Sequence, residues 1–202
     1  MDATICRNVY DDVSARLGVS FITPKQIEEV FGWKYSAEQH DTLLAALSDD
    51  VVETALQSDA LLLPLPPTVR SLYALFSLGR EGMVYRYRNY RYANETFTRE
   101  GAWLLFPKRP NSNSVGLAYE DQCKLLVPGE VIPNAAEIAY VIVAFRAVHK
   151  EHCYVGVYLR SSTQYMLDCN VAVGCSEGEI SMQDMYNGAR LENVQFAAAT
   201  FI

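Results

Sequence analysis

The feature that most restricts the fold is an apolar stretch at residues 135–149. Residues 138–145 carry no charge, and Arg146 ends the run. The run is too short to cross a membrane, which takes about 20 residues. A segment that is apolar on every side must be surrounded by the rest of the chain. We therefore expect this segment to form the centre of the fold.

Two structures suit this segment. The β-branched residues 141–143 would fit a buried strand. Asn134 followed three residues later by Glu137 is instead a capping box, and His149 and Lys150 suit the carboxyl end of a helix. We favour a buried helix over residues 135–149, with a strand as the alternative.

The first part of the chain has the pattern of successive helices. Apolar residues recur every four positions from Ile5 to Leu17, and Gly18 is placed to end that helix. Capping boxes that begin at Thr23 and Ser36 indicate two further helices. This pattern predicts a helical N-terminal segment.

Charge and proline content divide the chain near residue 66. Residues 1–66 hold eleven acidic and four basic residues, whereas residues 67–202 hold thirteen of each. Residues 63–67 include three prolines, which remove hydrogen-bond donors and predict an irregular connector. We therefore predict an acidic helical segment over residues 1–66 and an α+β domain over residues 67–202.

The second part favours strands. Aromatic and β-branched residues are concentrated in several short segments. The predicted strands are 83–92, 103–106, 124–127, 154–160, 166–173 and the apolar chain end at 194–202. A helix is predicted from Ser181, whose side chain would cap it. The expected fold class is α+β, with a mixed, mostly antiparallel sheet and one packed central helix.

The most distinctive motif is an arginine- and tyrosine-rich stretch at residues 85–92. The window 80–109 has seven basic and three acidic residues, and arginine beside tyrosine can pair with phosphates and stack on bases. Period-two alternation is what any amphipathic strand shows, so we favour a half-buried strand with its tyrosines in the core. The candidate binding residues are Arg86, Arg88, Arg91, Tyr90 and Tyr92.

A second cluster combines His149, His152 and Cys153, which are potential zinc ligands or a cysteine–histidine pair. Their spacing matches no structural zinc pattern. Cys153 would follow the negative carboxyl end of the central helix, which disfavours a thiolate. The sequence also contains no phosphate-binding glycine motif. We therefore expect no metal and no cofactor.

Composition bears on location and function. Five cysteines in no recognisable framework and an acidic start without a signal peptide predict reduced thiols in the cytoplasm of a bacterium or phage-infected cell. We expect a non-enzymatic binding or accessory protein that contacts another protein or a second copy, without membrane association. Nucleic-acid binding by residues 85–92 is the second hypothesis, and a cysteine- or metal-dependent hydrolase around residues 149–153 is the third.

Overall fold

The computed structural model describes residues 3–68, 70–72, 75, 95–176 and 179–202. Within these ranges the chain is an α+β protein with mostly antiparallel strands, as predicted, but the strands form two sheets rather than the one expected. The helices are α1 (Ala3–Leu17), α2 (Pro24–Phe31), α3 (Ala37–Ala46), α4 (Asp49–Gln57), α5 (Tyr119–Cys123) and α6 (Ala135–His149). The strands are β1 (Ala60–Pro64), β2 (Trp103–Pro107), β3 (Tyr158–Met166), β4 (Cys169–Ser176), β5 (Glu179–Tyr186), β6 (Val194–Gln195) and β7 (Thr200–Phe201).

The N-terminal helices begin where the capping boxes predict. The Thr23 hydroxyl accepts a hydrogen bond from the backbone N–H of Gln26, and the Gln26 side chain accepts one from the Thr23 backbone. Ser36 and Gln39 make the same reciprocal pair at the start of α3. Gly32 ends α2 with a φ of 71°, a left-handed conformation in which glycine carries no steric penalty.

The first sheet has the order β1-β2-β7, and both pairings are antiparallel. Trp103 of β2 is fully buried, and its indole N–H donates to the carbonyl of Leu43 in α3 at 2.7 Å. The Phe21 ring lies 5.4 Å from the Trp103 ring. This contact set packs N-terminal helices onto the sheet.

The prediction of an irregular connector at residues 63–67 is wrong at its first two positions. Leu63 and Pro64 belong to β1, where Pro64 lies opposite Trp103. The backbone N–H of Leu65 then donates to the Ala102 carbonyl at 2.8 Å. Proline is tolerated because β1 is the outermost strand in the order of its sheet, so the missing N–H of Pro64 interrupts no ladder with a further strand of that sheet. The outer side of β1 instead carries an isolated bridge from Phe21 to Leu62.

The boundary predicted at residue 66 falls between two strands of one sheet. Strand β1 lies before it, and β2 lies after it. One continuous cluster of buried apolar side chains includes residues from 1–66 and from 67–202. The two predicted parts therefore share a sheet and a core.

Helix α6 confirms the helical interpretation of residues 135–149. The Asn134 side chain accepts from the backbone N–H of Glu137 at 2.9 Å, and every residue from Ala135 to Phe145 is buried. The Tyr140 hydroxyl donates to the Pro64 carbonyl of β1, while the helix also contacts β3 and β4. The helix thus lies between the two sheets. No helix in the described ranges has the length and apolar character needed to cross a bilayer.

The second sheet has the order β5-β4-β3-β6, and only the β3–β6 pairing is parallel. The helix predicted from Ser181 is wrong, because residues Glu179–Tyr186 pair with β4 along their whole length. The strand predicted at 124–127 is also wrong, since Lys124 and Leu125 form a turn after α5 and residues 126–127 have no regular structure. The strands predicted at 154–160 and 166–173 exist but begin later, at Tyr158 and Cys169.

Candidate functional site

The histidine of the predicted cluster that lies nearest the core is His149, in the last turn of α6. Its ring is half-buried, with its centroid 4.8 Å from that of Phe145. Burial lowers the pKa of His149, because removal from water disfavours the charged form. This histidine therefore packs as a largely neutral ring.

The fold brings Cys175, rather than Cys153, to a histidine. His152 is exposed, and its Nδ1 lies 3.8 Å from the Sγ of Cys175 in β4. Burial, with a smaller effect from nearby Cys175, raises the pKa of Cys153 to about 12. A thiol with this pKa stays protonated at neutral pH and is a poor nucleophile. Sequence spacing gives no signal for the contact between His152 and Cys175, because strand pairing creates it.

Two predicted sites remain, the metal cluster and the arginine- and tyrosine-rich stretch. In the ranges that the structure describes, no group of three or more His, Cys, Asp or Glu side chains is arranged to hold a metal ion. Arg86, Arg88, Arg91, Tyr90 and Tyr92 lie outside the described residues. Their proposed role in nucleic-acid binding stays a prediction.

A buried polar cluster surrounds the amino end of α6. Glu137 is 1% exposed. Its carboxylate accepts from the backbone N–H and hydroxyl of Thr98, and from the backbone N–H of Asn134. The Thr163 hydroxyl donates to Glu95 and accepts from the backbone N–H of Ala135. These bonds anchor residues 95–98 to the helix, so we assign the carboxylate of Glu137 a structural role.

A second buried polar group is Arg160 of β3, which is fully buried. Its guanidinium donates to the carbonyls of Asn187 and Ala189, at 3.3 and 3.1 Å. Burial lowers the pKa of Arg160. Burial also raises the pKa of nearby Tyr119 to about 12. Arg160 therefore fixes the loop after β5.

That loop stands beside three exposed apolar side chains at one end of the second sheet. Met166, Leu167 and Tyr186, which we call the tip patch, are 57%, 86% and 61% exposed. Met166 lies opposite Cys169, and Cys169 lies opposite Tyr186. Residues that pair across antiparallel strands project from the same face. Strand pairing therefore brings Met166 and Tyr186 to one face, beside the turn that carries Leu167.

The turn that carries Leu167 is held by hydrogen bonds on both sides. The Gln164 side-chain amide donates to the Leu167 carbonyl at 2.8 Å. The backbone N–H of Asn187 donates to the Asp168 carbonyl at 2.7 Å. The turn is thus tied both to its own strand and to the end of β5. This arrangement presents Leu167 on an anchored backbone.

The orientation of the Tyr186 ring depends on a glycine. A Cβ atom on Gly188 would lie 2.7 Å from Cε1 of Tyr186, closer than side-chain atoms normally approach. Glycine therefore allows the ring to lie against the backbone of the following loop. No sequence pattern groups these residues, because Tyr186 follows a segment that is predicted to form a helix from Ser181.

Comparisons of the chain with protein-family models, curated proteins and solved structures found no match.

Proposed function

We propose that the protein is a non-enzymatic binding protein that contacts another protein through the tip patch. The observation that carries this proposal is the high exposure of Leu167 on an anchored turn, next to Met166 and Tyr186. Large apolar side chains grouped on a surface are typical of interaction sites. Tyrosine is also enriched among the residues that contribute most to binding.

The size of the patch favours a transient contact. A stable interface buries about 800 Å² on each partner, which is more than three side chains supply. The anchored turn and the oriented tyrosine ring reduce the side-chain and loop entropy lost on binding. Two copies of a chain with a net charge of −7 also repel each other. These properties favour a different protein over a second copy as the partner.

The proposal is tested by photo-crosslinking in cells of the protein's source. A photoreactive amino acid is placed at Leu167 in one chain and at Val19 in another. Val19 is a matched control, because it is also apolar and is 55% exposed, but it follows α1. We expect a discrete crosslinked product from position 167 and none from position 19. Identical products from both positions, or none from either, would contradict the proposal.

Two variants then test the role of the patch. Tyr186→Ser removes the ring, and Gly188→Ala places a methyl group where the ring lies. Both should reduce crosslinking from position 167 by about tenfold, which corresponds to about 1.4 kcal/mol of binding energy, while circular dichroism stays unchanged. A product of twice the chain mass would instead show that a second copy is the partner.

A further inference from the structure

A cavity of about 470 Å³ lies beside the first sheet, far in sequence from the tip patch. Its lining includes Ala60, Leu105, Pro107 and Thr200 from that sheet. Ala60 pairs with Pro107, and Leu105 pairs with Thr200, so these four residues project from one face. The volume is within the range of about 300–1,000 Å³ that is usual for small-molecule sites. We call this space the α4–β2 cavity.

The cavity exists because small side chains occupy positions that larger ones would fill. Ala60 and Ala198 both line it, and neither extends beyond Cβ. Thr54 of α4 and Ser58, which follows that helix, also line it, and the Ser58 hydroxyl donates to the Thr54 carbonyl. The lining is therefore mainly apolar, with hydroxyl groups from one helix end.

Backbone hydrogen bonds hold the surrounding loops in place. The backbone N–H of Asn111 donates to the Phe196 carbonyl at 2.9 Å. Val131 and Ala199 exchange two backbone hydrogen bonds, at 2.9 and 2.8 Å. A ligand would consequently enter a largely preformed space, which lowers the entropy cost of binding.

Two opposite charges line the cavity without pairing with each other. Arg109 makes no hydrogen bond or ion pair with any residue that the structure describes, although neighbouring Lys108 is paired. Glu130 uses Oε2 to accept from the backbone N–H of Val127 at 3.0 Å. Its Oε1 accepts no hydrogen bond from the described residues. A guanidinium and a carboxylate oxygen are thus both available to one ligand.

We propose that the α4–β2 cavity binds a small zwitterion of the amino-acid class. Its carboxylate pairs with the Arg109 guanidinium, which matches carboxylate geometry. Its ammonium donates to Oε1 of Glu130, and its apolar part contacts Leu105 and Ala60. A ligand with only one charge would leave either the Arg109 guanidinium or Oε1 of Glu130 without a partner.

Isothermal titration calorimetry tests this proposal with two zwitterions, L-leucine and 5-aminopentanoate. The single-charge controls for L-leucine are 4-methylpentanoate, which lacks the ammonium, and 3-methylbutylamine, which lacks the carboxylate. The corresponding controls for 5-aminopentanoate are pentanoate and butylamine. We expect at least one zwitterion to bind with a Kd of about 1 mM or lower. Each single-charge compound should bind at least about tenfold more weakly, since it loses one charge-assisted contact.

Variants assign the binding to the cavity. Arg109→Gln and Glu130→Gln should each weaken zwitterion binding at least about tenfold. Ala198→Leu should abolish binding by filling the space, while thermal unfolding shows that the variant is folded. Lys108→Gln, which changes the neighbouring cation but no cavity residue, should leave the Kd unchanged.

Three results would overturn the proposal. The first is the absence of heat with both zwitterions at about 10 mM, well above the expected Kd. The second is equal affinity for zwitterions and single-charge compounds. The third is zwitterion binding of unchanged affinity in each of the three single variants, Arg109→Gln, Glu130→Gln and Ala198→Leu. None of these results depends on the tip patch, so the two proposals fail separately.

Discussion

Replacing Glu137 by glutamine should lower the free energy of unfolding by about 3 kcal/mol. The carboxylate accepts from two donors of Thr98 through Oε1, and from the backbone N–H of Asn134 through Oε2. An amide has only one oxygen, so its NH₂ group must face either Thr98 or Asn134. In either orientation the glutamine NH₂ group faces a backbone N–H group, so two hydrogen-bond donors meet inside the protein.

The magnitude follows from these contacts. A hydrogen bond to a charged acceptor contributes about 1.5–3 kcal/mol, and a buried donor without an acceptor costs about 1–3 kcal/mol. These two effects overlap because they concern the same N–H group, so about 3 kcal/mol is expected. For a chain of 202 residues, each kcal/mol shifts the Tm by about 2–4 °C, which gives a fall of about 10 °C.

Urea unfolding at neutral pH measures the effect through the fluorescence of Trp33 and Trp103, which are both buried. Glu38→Gln is the matched control, because Glu38 is also in the first turn of a helix but is exposed. Glu38→Gln should lower the free energy of unfolding by no more than about 0.5 kcal/mol. If Glu137→Gln and Glu38→Gln had equal effects, the assignment of a structural role to the buried carboxylate would be wrong.

Three further measurements test other features. Iodoacetamide at pH 8 should leave Cys153 unmodified in the native protein, because burial raises its pKa to about 12; complete labelling detected by mass spectrometry would contradict this. Because burial lowers the pKa of His149 below its unfolded value of 6.5, its stabilising contribution is present above that pH and is lost as the pH falls. Urea unfolding measures the free energy of unfolding at pH 7 and at pH 5. Between these two values it should fall less in His149→Gln than in the wild type, and equal decreases would refute the argument. If residues 85–92 bind single-stranded nucleic acid, fluorescence anisotropy should show a log–log salt slope of about −0.7 per phosphate contact, which the combined Gln variant of Arg86, Arg88 and Arg91 should reduce; no binding at low salt would exclude this function.

The sequence by itself determined the helices that are specified by residues close together in the chain. Thr23 with Gln26, and Asn134 with Glu137, are three residues apart, and each pair satisfies donors in its own first turn. The apolar run after Asn134 required burial on every side, and α6 is accordingly packed against α2 and the second sheet and bonded to the first sheet through Tyr140. These inferences held because every interaction that starts the helix is between near neighbours in the chain.

Strand identity depended on partners that sequence spacing does not reveal. Ser181 has a helix-capping side chain, yet pairing along the whole of β4 overrides that local preference. Leu63 and Pro64 form a strand because β2, about 40 residues later, supplies the pairing. In each case the deciding hydrogen bonds come from elsewhere in the chain.

The candidate sites were decided by tertiary structure alone. Strand register brings Met166 and Tyr186 to one face, on either side of Cys169, and the β3–β4 turn places Leu167 at the end of that face. The α4–β2 cavity combines Arg109 and Glu130 only because the loops that carry them pack against the same sheet. Such groupings join side chains that are distant in sequence, and no local pattern encodes them. The physical reason is that helix caps form within one turn, whereas patches and cavities form only when separate segments close on one core.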